Sequence, residues 1–463
     1  MPPSSLPDAA DPGCPDLDHL GVSPRWALVR TLMGGTLALR AAGETYLPRY
    51  EAEDPAAYRT RLERAVLLPA FEETVRTLAG RVFARPLILG ADVPARLRAW
   101  LEDADLLGNA FHILAQRCFT EALVTGLAWI QVEMPGPEVP PARRRPYLVV
   151  VPAEDVLAAR AGRADGLWRL AHARVRYTVS EPDGFRERRF ERVQVLEPGR
   201  WETWERDGGG WLRLAQGATP LATVPLVPVR LGPPVGAFLA RPPLEGLAHL
   251  NIAHWQSASD QRNILTLGRF AMLALSGPAP EGPEAGALAV GPKTFLHAPD
   301  PQARWYYVEP QGTAIQAGER DLARLESQMD RLALEPLLSR SGTTTATATA
   351  IAETRALSLI KAWAIALRDA LEQVLALMAA WGGLPTGGSI DINTDFVDIS
   401  DDADLTALAT ARAAGDISRA TYLSELQRRG VLSWAFDPDL DAHARGQETE
   451  PFSQNTVSAK EPS

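Results

Sequence analysis

From Ala350 to Trp381 the chain runs without a glycine or a proline. Over that stretch Ile360, Trp363, Leu367, Leu371, Val374, Met378 and Trp381 recur at helical spacing, and Gly382 and Gly383 follow. At 1.5 Å per residue such a helix measures roughly 48 Å, longer than a compact domain needs. The rest of the fold must therefore offer a partner surface along it. The segment leading into it, "LLSRSGTTTATATAIAETRAL" at residues 337–357, holds five threonines between Thr343 and Thr349. It is too small and polar to build a core, and it reads as a loop between two strong helices.

The helix before that loop, "GERDLARLESQMDRLAL", carries a heptad-like seam of Leu322, Leu325, Met329 and Leu332. Further upstream, "PLEGLAHLNIAHWQSASDQRNILTLGRFAML" predicts a long helix with Leu247, Leu250, His254, Ala258 and Leu265 near one face. Its flanks bear Asn251, Gln256, Ser257, Asp260, Gln261 and Asn263. A helix polar on several sides either bridges through solvent or hydrogen-bonds to other chains. Between these two helices, residues 277–313 are rich in glycine and proline, with short extended runs at 293–297 and 304–309.

The first 20 residues, proline-rich and acidic, read as a disordered tail, and residues 21–134 as mostly helical. In "SPRWALVRTLMGG", Ser23 is a candidate N-cap, Pro24 the first helical position and Gly34 the stop. Tyr58, Leu62, Ala65 and Val66 form one apolar stripe, Phe71, Val75 and Leu78 a second, and Phe111, Leu114, Cys118 and Leu123 a third. From residue 146 to about 235 the period turns extended, with Pro-Asp-Gly, Pro-Gly and Asp-Gly-Gly-Gly turns, which predicts an antiparallel meander. The C-terminal part holds two short helices, capped by Ser400 and Ser418 and stopped by Gly415 and Gly430, then a polar tail from about residue 446 that reads as disordered.

Composition narrows the function. With 47 basic and 57 acidic residues the formal charge is −10, which argues against a surface that clamps nucleic acid by neutralising phosphates. Contact with DNA should be local. Cys14 and Cys118 lie far apart, suggesting neither a disulfide framework nor a metal knuckle. The start, "MPPSSLPDAADPGCPDLD", lacks the basic and apolar runs of a signal peptide, and the most apolar window, "ALVTGLAWIQVEM", is shorter than the roughly 20 residues of a membrane span. A soluble, non-secreted chain is expected.

Catalytic signatures are missing. His249 and His254 are spaced to miss the shared helix face that two metal ligands need. "DINTDFVDISDD" places Asp391, Asn393 and Asp395 like the first calcium-loop ligands, but Phe396 stands where the turn needs glycine and Asp402 where a glutamate would close the site. "SRSGTTTATA" lacks the Gly-Lys-Ser/Thr ending of a phosphate loop. The segment from Ser400 to Gly430 has helix-turn-helix proportions, yet it offers mainly Arg419, Arg428 and Arg429 within an acidic surround. No enzyme, cofactor or metal site is expected.

The order of these elements, together with "GGTLALRAAGETYLPRY", "YRTRLERAVLLPAFEETVRTLAGRVF", "HLNIAHWQSASDQRNIL", "SQMDRLALEPLLSRSGTTTATATAIAE" and "RAAGDISRATYLSELQRRGVL", resembles the portal proteins of tailed bacteriophages, in particular a divergent portal-like family of phages and prophages. The resemblance covers nearly the whole chain and implies an α+β fold. Residues 21–145 would form a helical wing and 146–235 its β-rich part. Stem helices at 236–270 and 316–338 would flank a small α/β clip at 271–315. A tunnel loop at 339–349, a long spine helix at 350–382 and crown-like helices at 383–445 would complete it.

The function so implied is a homo-oligomeric ring of about twelve subunits at the capsid portal vertex of the virion, assembled in the bacterial host cytoplasm. It would be the channel for packaging and ejecting double-stranded DNA. Implied partners are the large terminase subunit, a head-completion or adaptor protein, and the major capsid and scaffold proteins, with no membrane. The tunnel loop would present Ser339, Arg340, Ser341, Gly342, Thr343, Thr344, Thr345, Thr347 and Thr349 to DNA, with Arg340 the group able to touch phosphate. Leu247, Asn251, Trp255, Leu322, Leu325, Met329 and Leu332 would pack the stem between subunits. Lys293, Phe295, Arg304, Trp305 and Tyr306 would belong to the clip. The alternatives are another head or head-tail connector protein, or a hydrolase built on scattered acids such as Asp398 and Asp402.

Overall fold

The computed structural model describes residues 11–268, 272–276, 304–308, 313–333, 346–394, 402–428, 431–432, 436 and 440–443. The chain divides into two units, residues 1–394 and 395–463.

In the first unit α1 (Leu17–Met33) starts about two turns before Ser23, with Asp16 at its N-cap and Pro24 inside. Pro24 has no N–H to give to Leu20, and the Ser23 hydroxyl donates to that carbonyl at 3.1 Å instead. This substitution lets the helix run through the expected start. Residues 11–20 are likewise ordered rather than a tail, because the Asp16 carboxylate accepts from Arg160 at 2.8 Å and Arg174 at 3.0 Å. The expected tail's first ten residues lie outside the described ones.

Next come α2 (Gly35–Ala42) and α3 (Pro55–Arg64). The Asp54 side chain caps α3 by accepting from the N–H groups of Ala56 and Ala57. Because α3 ends at Arg64 and Ala65 turns extended, Val66 leaves the predicted stripe and is exposed. Then follow α4 (Ala70–Val82), β1 (Ile88–Leu89), α5 (Ala95–Leu101) and α6 (Phe111–Thr125). Their predicted stripes, Phe71, Val75 and Leu78 on α4 and Phe111, Leu114, Cys118 and Leu123 on α6, are all buried.

The helical reading of residues 21–134 misses β2 (Leu127–Glu133). Gly126, at φ 87°, ends α6 and turns the chain into this strand, and a Cβ there would overlap the Arg241 backbone. β2 pairs antiparallel with β3 (Tyr147–Pro152). The chain then enters β4 (Val156–Ala164), β5 (Leu167–Asp183), β6 (Arg186–Glu197), β7 (Arg200–Asp207) and β8 (Gly210–Ala218). It returns as β9 (Leu226–Arg230) on the other edge of β2. The predicted single meander is therefore two sheets, a meander ordered β4-β5-β6-β7-β8 and a three-stranded sheet ordered β3-β2-β9. The reason is hydrophobic: "LAWI", "LVVV" and "LVPV" are apolar on successive residues, suited to a strand covered on both faces, and they select one another.

After this come α7 (Glu245–Gly268), β10 (Met272–Ser276), β11 (Arg304–Val308), α8 (Thr313–Leu332) and α9 (Ala346–Trp381). The partner surface that the long helix requires is the three-stranded sheet together with α4. Ile360, Trp363, Leu367, Leu371, Val374 and Met378 are buried, and Trp363 Nε1 donates to the Leu231 carbonyl at 2.7 Å. At 36 residues α9 is roughly 54 Å long. β12 (Ile390–Asp391) closes the unit by pairing with β1, so Asp391 serves a strand. The remainder of the calcium-like stretch, from Asp395 to Asp401, lies outside the described residues.

The second unit contains α10 (Asp402–Ala414), stopped at Gly415 with φ 82°, and α11 (Arg419–Arg428). Ser418 caps α11 as predicted, its hydroxyl accepting from the Thr421 N–H at 3.0 Å. Arg419 pairs with Asp441 at 2.8 Å. Ser400, Gly430 and the expected C-terminal tail from residue 446 fall outside the described residues. Among the described residues no helix is long and apolar enough to cross a membrane.

Candidate functional site

The elements that distinguish this chain are α7 and α8 with the strands between them. His254 on α7 meets Glu326 on α8 at 3.3 Å, Ser257 donates to Asp321 at 2.7 Å, and Gln261 donates to the Ile315 carbonyl at 2.9 Å. Rising numbers on α7 meet falling numbers on α8, so the helices form an antiparallel hairpin. Gly318 lets them close at Gln261, whose side chain occupies the space a Cβ would fill.

Away from α8, the α7 side chains hold the N-terminal layer. Asn251, fully enclosed, accepts from the Phe71 N–H at 3.1 Å and donates to the Leu68 carbonyl at 2.9 Å. It thus supplies from a distant helix the cap that α4 lacks at Pro69. Gln256 donates to the Tyr46 carbonyl at 2.9 Å, and the Tyr50 hydroxyl donates to Asp260. Burial first, and then the Asp260 carboxylate, push the Tyr50 hydroxyl up to about 12. Arg61 is the hub of this corner. It pairs with Glu53 at 2.8 Å, donates to the Pro48 carbonyl at 2.8 Å and stacks on Tyr50 at 4.3 Å.

Asn251, Gln256, Ser257, Asp260 and Gln261 on the polar flanks of α7 therefore each have a hydrogen-bond partner in the same chain. This bears on the expected inter-subunit seam. Leu247, Asn251, Trp255 and Met329 are buried within one chain, Leu322 and Leu325 are half-buried, and Leu332 alone of the set is exposed, at 45%.

Between the helices, β10 and β11 pair antiparallel, with Met272 opposite Val308, Leu275 opposite Trp305 and Ser276 opposite Arg304. Arg304 and Tyr306 are exposed, and Trp305 lies in β11 between them. Lys293 and Phe295 lie outside the described residues, as do Ser339, Arg340, Ser341, Gly342, Thr343, Thr344 and Thr345. Thr347 and Thr349 fall in the first turn of α9, which begins at Ala346, inside the stretch read as loop. The alternation of threonine with alanine after Thr345 suits helix continuation once α9 is nucleated downstream.

Two cavities of about 400 and 440 Å³ beside the three-stranded sheet, which share Gln131, Glu133 and Gln194, had no counterpart in the sequence reading. Burial raises the Glu133 carboxyl above its ordinary range, although Tyr147 donates to it. Glu133 also accepts from Gln131 at 2.8 Å. The only hint in the sequence is a lone acid at the end of the apolar run "LAWIQVE". Among the described residues no group of three or more histidine, cysteine or acidic side chains is placed to hold a metal.

Residues 243–382 match the model of a family described as a domain of unknown function, DUF4055. The match takes in the α7–α8 hairpin, its strand pair and α9, and it ends where α9 ends. No curated protein matches the chain. Among solved structures, the chain is similar to one in the virion of a native gene transfer agent particle, at 16% identity over 84% of this chain and 97% of that one, with TM-score 0.43. It is also similar to one in the neck of an empty particle of that kind, at 15% identity over 82% and 90%, TM-score 0.42. A third, from the neck of the native particle, gives 15% identity over 77% and 89%, TM-score 0.40. Likeness at this level says nothing of role.

Proposed function

We propose that the chain is a portal-type ring subunit of a phage-like particle. The observation that carries this reading is the arrangement of residues 245–381: an antiparallel helix hairpin with a small strand pair between its arms, a segment of small hydroxyl residues, and a helix of roughly 54 Å laid on a sheet. In a ring, α7 and α8 make the stem, the strand pair with Arg304, Trp305 and Tyr306 makes the clip, and the threonine segment lines the opening. Within one chain α7 is tied to α8 through His254, Ser257 and Gln261 and to the N-terminal layer through Asn251. Such a stem presents a preformed wall instead of one assembled on contact.

The electrostatics suit a passage for duplex. DNA carries one charge per roughly 1.7 Å and adheres to basic walls. About twelve copies at −10 each sum to about −120, a ring that repels DNA overall and lets it slide past a lining of threonine and alanine. The large terminase subunit would dock on the clip during filling, and an adaptor protein would replace it afterwards. Replacing Thr343, Thr345 and Thr347 with arginine tests the reading. DNA packaging into the particle should stall while ring assembly stays intact, and unchanged packaging would mean that the segment does not face DNA.

A further inference from the structure

The groove between α3 and α7, on the side of α7 away from α8, carries a cluster that neither the fold nor the proposed ring explains. It is a depression of about 220 Å³ lined by Thr60, Arg61, Arg64, Ser259, Arg262 and Asn263, and no acidic residue lines it. Arg61 is spoken for, since Glu53 at 2.8 Å and Asp260 at 3.6 Å absorb its charge. Arg64 and Arg262 have no carboxylate partner among the described residues. Arg262 reaches across the groove, where one of its N–H groups donates to the Arg64 carbonyl at 3.0 Å. That bond fixes the guanidinium and leaves most of its five donors unused. Below them Ser259 is 3% exposed, and its hydroxyl has no hydrogen-bond partner.

A buried hydroxyl without a partner costs stability, and two unpaired guanidinium groups on one groove repel each other. In a chain with a net charge of −10, carboxylates to neutralise them are plentiful elsewhere. A cation at the C-terminal turn of α3 also complements the helix dipole, which accounts for Arg64. It accounts for neither Arg262 on the facing helix nor the unpartnered hydroxyl between them. An oxyanion seated in the groove would accept from both guanidinium groups and bring an acceptor to the Ser259 hydroxyl.

We infer that the α3–α7 groove is a phosphate-type oxyanion site formed by Arg64, Arg262 and Ser259, taking either inorganic phosphate or a phosphodiester of duplex DNA. The inference does not depend on the ring reading. The test uses the full-length protein, Arg64→Gln, Arg262→Gln and Ser259→Ala, with inorganic phosphate and a short duplex as separate probes in titration calorimetry at low salt. Unliganded circular dichroism and thermal midpoints report whether each variant is folded, and Arg76→Gln, on exposed α4 surface, serves as the charge control.

The wild-type protein should bind at least one probe. Either arginine variant should weaken it roughly tenfold or more, the loss expected for charge-assisted bonds, with a smaller loss for Ser259→Ala and none for Arg76→Gln. Loss confined to inorganic phosphate assigns a small-anion site, and loss that includes the duplex assigns a backbone contact. Binding of neither probe, or binding that the folded arginine variants retain, overturns the inference.

Discussion

Asn251→Ala should destabilise the first unit by about 1–4 kcal/mol. The side chain is fully enclosed, and it bonds the Phe71 N–H at 3.1 Å and the Leu68 carbonyl at 2.9 Å. Removing it strands the buried Phe71 N–H, at about 1–3 kcal/mol for an unsatisfied group, while the Leu68 carbonyl keeps the Ala70 N–H at 2.8 Å. The small cavity left behind adds to the loss. Asn251→Leu fills the volume but restores neither bond, so it should be no better than alanine. Gln256→Ala is the control: its partner, the Tyr46 carbonyl, is reached by a half-buried side chain, and water can replace the bond for under about 1 kcal/mol. Urea unfolding followed by tryptophan fluorescence reads all three, with Trp255 one turn away on α7 and buried. If Asn251→Ala costs no more than Gln256→Ala, the view that α7 anchors the N-terminal layer through this residue is wrong.

Two further outcomes follow from the same packing. Arg61 holds the Glu53 carboxyl below its ordinary value of 4.5, chiefly by a hydrogen bond. The stability this contributes is present above that value and is lost as pH falls below it. Glu53→Gln should therefore cost about 3 kcal/mol at pH 7, the low end for an enclosed pair since Asp260 still faces Arg61, and should flatten the acid limb of a pH series of urea midpoints. Trp363→Phe keeps the ring packing of α9 and strands the Leu231 carbonyl, so a loss of about 1–3 kcal/mol is expected in the same unfolding assay.

Much of the helical framework was legible because its signals are local. The stripes on α4 and α6 and the long period of α9 are read from residues a few positions apart, and so is the Ser418 cap. What stayed hidden depends on partners far along the chain. The polar flank of α7 announces that Asn251 and Gln256 need hydrogen bonds, but their partners, Leu68, Phe71 and Tyr46, belong to loops and caps that no periodicity marks.

The same limit explains the N-terminal segment, whose order depends on Arg160 and Arg174. It also explains β2, where one left-handed glycine, Gly126, divides an apolar run that otherwise continues the pattern of α6. The two-sheet arrangement follows from which apolar strands are covered on both faces, a property of the assembled layers. For the candidate site, the two helices and the run at 304–308 were legible from local pattern, whereas the strand Met272–Ser276 falls partly in the stretch read as helix, and Arg64, Arg262 and Ser259 come together only through the packing of α3 on α7.

The central claim is that copies of this chain close into a ring, and negative-stain imaging of the purified protein over several salt concentrations tests it most directly. The account predicts closed rings of about twelve subunits with a central opening. A population of monomers, or of open or compact oligomers without an opening, at every salt concentration would contradict it.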